Sequence, residues 1–181
     1  MSNTVMTHLP EVKGSYTVER KVHTDERGTF CELLRADDHR PKFKQQNQSF
    51  SFGGVLRGMH TQSKKPQGKL VTCLYGTVLD VIFDIRKGSP TYMQGLAKML
   101  DFEAVNSLYV PPGCLHGFLA LSKFAVVHYS CTEYYDPESD GGVNWESPKI
   151  RELFEVADID PIVSLKDQAL PSLDEYLKQM E

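Results

Sequence analysis

What the sequence lacks narrows its function first. It holds no apolar run of transmembrane length, and Met1–Met6 shows no basic stretch leading into an apolar one. Neither a membrane span nor a secretory leader is therefore expected. The four cysteines (Cys31, Cys73, Cys114, Cys131) are dispersed and never spaced as CxxC. That pattern fits reduced, mostly buried thiols in the cytoplasm better than a disulfide framework or a zinc site. Positive charge is not in excess: a net charge of -4 gives no general attraction to nucleic acid or to an anionic membrane. An anionic ligand must then be held by a local basic cluster. No internal repeat, low-complexity tract or Pro/Gly/Ser-rich linker divides the 181 residues, so a single domain over 1–181 with a sizeable core is expected. With 40% hydrophobic and 24% charged residues, the composition is that of an ordinary globular protein rather than a disordered one.

Helix signals are also scarce. Most of the chain reads as short extended segments between turn signals. Ser15–Val22 alternates, Asp25–Gly28 turns, and Thr29–Leu34 resumes extended character. Lys44–Phe52 is polar and aromatic and is broken by Gly53-Gly54, and further strands are expected over Lys69–Tyr75, Thr77–Ile85, Gly95–Leu100, Ser107–Val110, Gly117–Leu121 and Phe124–Thr132. Val78–Phe83 is apolar enough to be buried on both faces. Only the end looks helical: a turn or more from Ser147 to Phe154, and a short helix after Ser172, which has Glu175 three residues on as in a capping box. About nine to twelve short strands at this spacing suit a sandwich or barrel. The expected fold is all-β: a double-sheet, cupin-like jelly roll with a short C-terminal helical segment.

The densest chemistry lies in Val55–Gln62 and runs on through Gly68–Cys73. On a regular strand, Leu56, Gly58, His60 and Gln62 would share one face, with Arg57, Met59 and Thr61 on the other unless a bulge intervenes. His60 is a candidate base or a structural histidine; its company favours the first. Lys69, opening an apolar strand, is a solvated strand-end lysine or a fixed cation beside an oxygen that becomes negative. Arg57 is a surface residue or a pyrophosphate fork, and Arg27, in its turn, has the same two readings. His116, set behind Pro111–Gly113, ties down that turn or faces a ligand. Tyr129 packs on a sheet face or donates a phenolic proton, while Tyr134 and Tyr135 pack or stack on a base. Asp167 has no signal of its own, but a loop returning to His60 would let it orient the imidazole. His60-Thr61-Gln62 lacks the second histidine of a His-x-His pair, so no catalytic metal is expected.

Together these stretches resemble the dTDP-4-dehydrorhamnose 3,5-epimerase family. The likeness rests on Asp25–Glu32, Gly54–Gln62, Gly68–Val71, Asp84–Thr91, Pro112–Phe118 and Tyr129–Glu138, in the family's order and spacing, and runs from about Val18 to Asp167. It implies a metal-free, cofactor-independent homodimer whose N-terminal strands are shared with the partner, and which epimerises a nucleotide-linked 4-keto-6-deoxyhexose at C3 and C5. It also implies that His60, supported by Asp167, is the base, that Tyr129 is the acid on the opposite face, and that Lys69 stabilises the enolate oxygen. Arg57 and Lys166, with Arg27 from the partner, would bind the diphosphate. Gln45 and Asn47 match a Gln-x-Asn pattern of substrate contacts, Glu32 and the ring of Tyr135 would meet the nucleoside, and His116 would line the pocket.

Three departures stand out. Met59 replaces the family's usual Leu, and Lys166 stands where Arg is common. The stretch Trp145–Pro161 lacks the usual Ile-Gly-Ile-x-Trp-Pro pattern. Three rivals stay open at this level: an epimerase of C3 or C5 alone, a sugar 3,4-ketoisomerase, and a non-catalytic sugar-binding cupin.

Overall fold

A computed structural model describes residues 4–35 and 41–180. Two antiparallel sheets lie face to face. The first runs, in spatial order, β1 (Thr4–His8), β2 (Tyr16–Arg20), β10 (Ser107–Val110), β7 (Lys69–Tyr75), β12 (Phe124–Cys131) and β5 (Gln45–Phe52). The second runs β13 (Asp140–Gly142), β6 (Val55–Gln62), β11 (Leu115–Ala120), β8 (Thr77–Phe83) and β9 (Gly95–Asp101), with β14 (Ile162–Val163) parallel to β6. A separate hairpin joins β3 (His23–Asp25) to β4 (Gly28–Phe30). Three helices follow late in the chain: α1 (Pro148–Phe154), α2 (Leu165–Gln168) and α3 (Leu173–Gln179). This is the expected jelly roll.

The strand pattern explains the layering. Alternate residues of β8 face opposite ways. Val78 and Ile82 enter the core between the sheets with Val71, Leu108, Phe118 and Val127. Leu79, Val81 and Phe83 enter a second core beneath the helices, with Ile150, Phe154, Leu173 and Tyr176. The strand is thus buried on both faces, as its apolar run predicts. The capping box of α3 also forms: Ser172 Oγ accepts from Glu175 N at 3.4 Å, and Glu175 Oε2 accepts from Ser172 N at 2.8 Å. In α1, Ser147 does not cap its own helix; its Oγ accepts from Leu173 N at 3.0 Å and so ties α1 to α3.

Differences from the sequence expectation have local causes. Fourteen strands form among the described residues, more than expected, because β3, β13 and β14 are only two or three residues long. Pairs that short come from tertiary neighbours, not from a run of β-formers. β11 begins at Leu115, two residues before the expected start, since Leu115 and His116 already pair with β8. The regular alternation assumed for β6 fails. His116 pairs with His60 and Phe118 with Arg57, so the three residues His116–Phe118 of β11 span the four residues Arg57–His60 of β6. This bulge turns Arg57 and His60 to the same inner face and sends Leu56 and Met59 outward to the helix-side core.

Candidate active site

Between the sheets lies a cavity of about 500 Å³, lined from both sides. From the second sheet come Arg57 and His60 on β6 and His116 on β11; from the first come Lys69 on β7 and Tyr129 on β12. Lys166 and Asp167 of α2 close one side. The bulge in β6 makes this grouping possible, and Gly58 makes the bulge possible. Its φ is +132°, and a Cβ added there would stand 2.5 Å from Gly117 Cα, so only glycine fits. On the facing sheet the register sets Val71 beside Tyr129 and Lys69 beside Cys131 on neighbouring strands. The phenol and the ammonium therefore confront the imidazoles across the gap.

His60 is anchored from behind. Its Nε2 lies 2.7 Å from Asp167 Oδ1. A carboxylate only accepts, so Nε2 carries the proton and Nδ1 is left as a base. Asp167 is held in turn: its backbone N–H donates to Ser164 Oγ at 3.1 Å, the N-cap of α2. Burial pushes the Asp167 carboxyl up, but the hydrogen bond and charge of His60, with Gly58 N–H and Ser164, outweigh it and leave the group below its ordinary value. The carboxylate thus stays charged beside the imidazole. The unsignalled loop after β14 does return to His60, as the sequence required for Asp167 to matter.

His116 has a carboxylate of its own. Its Nε2 lies 3.0 Å from both oxygens of Asp80, which is fully buried. Sequence reasoning passed over Asp80, although a charge inside the apolar run Val78–Phe83 is a signal: a buried carboxylate needs a partner. Opposite, burial pushes the Lys69 ammonium down in pKa, with Cys131, Asp80 and Asp140 pulling it back up. Burial also pushes the Tyr129 phenol up, with Cys131 adding to the rise and Arg57 opposing it; the hydroxyl keeps its proton at neutral pH.

A second cluster stands at the mouth. Lys166 Nζ donates to Asp140 Oδ2 at 2.8 Å, and Tyr135 Oη donates to the same oxygen at 3.1 Å. Sequence reasoning missed Asp140 too, and nothing in Ser139–Gly142 marks it. Gln45 Nε2 donates to Asn47 Oδ1 at 2.9 Å, and Asn47 pairs across the sheet with Tyr129. Arg57 donates through Nε to Ser51 Oγ at 3.0 Å and through Nη2 to Phe50 O at 3.2 Å. Gln45, Asn47 and Tyr135 do not line this cavity, and neither do two further expected residues. Arg27 sits on the β3–β4 hairpin, ion-paired to Asp25, and its side chain is 83% exposed. Glu32 pairs with Arg35. Among the described residues, no group of three or more His, Cys, Asp or Glu side chains is placed to hold a metal ion.

Residues 10–175 match the profile for dTDP-4-dehydrorhamnose 3,5-epimerase. A relative of that description from Methanothermobacter thermautotrophicus is 42% identical over 161 residues, covering 86% of this chain and 87% of the relative. A solved 3,5-epimerase from Legionella pneumophila in complex with dTDP-4-keto-L-rhamnose superposes with a TM-score of 0.85 at 36% identity, covering 97% of this chain and 96% of that one. A 3'-monoepimerase from Streptomyces bikiniensis in complex with dTDP-quinovose gives a TM-score of 0.89 at 29% identity, covering 96% and 91%.

Proposed function

The chain belongs to the dTDP-4-dehydrorhamnose 3,5-epimerase family, and we propose that its cavity inverts C3 and C5 of a nucleotide-linked 4-keto-6-deoxyhexose. The ketone at C4 acidifies the hydrogens on both neighbouring carbons. Nδ1 of His60 takes one of them, the C–H electron pair becomes the enolate C=C bond, and O4 gains the negative charge. Lys69 faces that charge, an interaction stronger in the transition state than in the ground state. The Tyr129 hydroxyl then returns a proton to carbon from the other side, which inverts the centre. The tyrosinate and the imidazolium reset by exchange with water. Every step is a proton transfer, with no net oxidation or reduction.

The observation that carries this is one arrangement: a carboxylate-backed imidazole on one sheet, and a phenol with an ammonium on the sheet facing it, around a single cavity. General acid–base catalysis supplies roughly 10²–10⁴-fold, so Lys69 and substrate positioning must supply much of the remainder. Arg57 and Lys166 take the diphosphate at the mouth, Gln45 and Asn47 contact the sugar, His116 lines the floor, and Tyr135 stacks on the base. Arg27 and Glu32 come from a second copy. Both are exposed and absent from the cavity lining of their own chain, which fits a homodimer with N-terminal strands shared. Four free cysteines suit the reducing cytoplasm.

Turnover in D₂O followed by NMR tests the reaction. Deuterium at both C3 and C5 of an inverted product is expected. The likeness to a 3'-monoepimerase favours one second reading, inversion at C3 alone. Label confined to C3 would replace the double epimerisation with that reading, and label confined to C5 would contradict both.

A further inference from the structure

The segment Glu133–Asp136 carries Tyr135 yet forms neither strand nor helix, so its backbone groups must find partners elsewhere. Glutamine side chains from three parts of the chain supply them. Gln67 Nε2 donates to Glu133 O at 2.8 Å. Gln45 Oε1 accepts from Tyr135 N at 2.8 Å. Gln62 does more: its Nε2 donates to Tyr134 O at 3.3 Å and its Oε1 accepts from Asp136 N at 2.9 Å. The same Nε2 donates to Lys65 O at 2.8 Å. The two ends of one amide thus grip the chain on either side of Tyr135. Gln62 is 5% exposed and lies two residues beyond His60 on β6. The ring of Tyr135 stays out in solvent, the residue being 52% exposed, with its hydroxyl tied to Asp140 at 3.1 Å.

An exposed ring on a pinned backbone is a preformed stacking surface, because little ordering is left to be lost when a ligand arrives. We propose that Gln62 is a positioning residue for the nucleoside half of the substrate. It fixes the peptides flanking Tyr135 to the strand that bears His60, and so sets where a planar heterocycle stacks relative to the base that works on the sugar. The inference rests on the nucleotide-sugar reading above and adds a residue to it. A neutral amide is well suited to the task. It supplies a donor and an acceptor at once and brings no charge to a mouth that must admit a diphosphate.

The test compares wild type with Gln62→Met, near-isosteric but without donor or acceptor, using dTDP and inorganic pyrophosphate as probes. Base–aromatic stacking implies a rise of about 10-fold in Kd for dTDP and in KM. Pyrophosphate affinity and kcat at saturation should stay within about twofold, the usual range for an untouched interaction. In a Tyr135→Ala background the same substitution should add almost nothing, which a merely structural role would not produce. Should Gln62→Met fail to fold, Gln62→Asn keeps the amide uncharged but one methylene short of Tyr134 O and Asp136 N–H, and is read the same way. Equal losses for the two probes, a fall in kcat with KM intact, or full additivity with Tyr135→Ala would overturn the proposal. A wild type that turns over its substrate while Gln62→Met binds dTDP normally overturns this inference alone. A wild type with no turnover overturns the underlying reading and this inference with it.

Discussion

At the scale of single residues, the pair on which the proposed chemistry depends is His60 with Asp167. Replacing Asp167 by Asn keeps its size but removes the charge and puts an amide that can donate as well as accept beside Nε2, so the imidazole loses its set tautomer. We expect kcat to fall by roughly 10²–10⁴-fold with KM nearly unchanged, the range for losing a general base; steady-state kinetics on the folded variant checks this. The same residue predicts a pH dependence of stability. Burial raises the Asp167 carboxyl, but His60, Gly58 and Ser164 lower it further than burial lifts it. A carboxyl held below its unfolded value of about 4 stabilises the fold above that pH and ceases to do so as pH falls through the folded value. The stability gap between wild type and Asp167→Asn should therefore be full at pH 7 and close in acid, as denaturant unfolding at several pH values would show. A gap that persisted at low pH would mean Asp167 stabilises by packing instead.

At the scale of elements, the bulge in β6 matters most. Period-two alternation places Arg57 and His60 on opposite faces, and the structure sets them on one. Within Val55–Gln62 only Gly58 hints at the slip, because the rest of its cause lies elsewhere in the chain. Gly117 sits so close that a Cβ on Gly58 would meet it, and Met59 pairs with Val143, accepting from its N–H at 2.9 Å and donating to its O at 3.2 Å. Elements whose signal is local were legible: β10 spans Ser107–Val110 as read, and the capping box of α3 formed from Ser172 and Glu175. The turn of helix holding Lys166 and Asp167 was not, since its four residues are too few for a periodic pattern and it is held by Ser164 and His60. Gly58→Ala tests the bulge. A residue with a Cβ at that φ costs about 1–3 kcal/mol, and the clash with Gly117 adds to it. A lower Tm and a lost kcat are expected together; an intact kcat would show that Arg57 and His60 do not depend on the glycine.

At the scale of the whole molecule, one chain forms the cavity but not the whole expected site. The residues named from the family motifs divide cleanly. Those on β6, β7, β11, β12 and α2 line one cavity, and Gln45, Asn47 and Tyr135 adjoin one another outside that lining, whereas Arg27 and Glu32 stand on and after the β3–β4 hairpin. Sequence shows which residues belong to one motif set and is silent on which copy of the chain delivers them. Complementation separates the cases. Arg27→Ala and His60→Ala are each expected to be nearly inactive. If Arg27 acts across a dimer, mixing and reassociating the two variants restores one site with both wild-type residues, and activity reappears. If it acts within its own chain, every mixed site stays defective.

The account turns on protons arriving at carbon from the side opposite their departure, and Tyr129→Phe examines that step directly. With the phenol gone and His60 intact, the enolate still forms and is reprotonated from the face it came from. Incubation with the 4-keto-6-deoxy nucleotide sugar in D₂O, followed by NMR, should show deuterium entering next to the ketone without inversion of configuration. Inverted product forming at the wild-type rate would contradict the account.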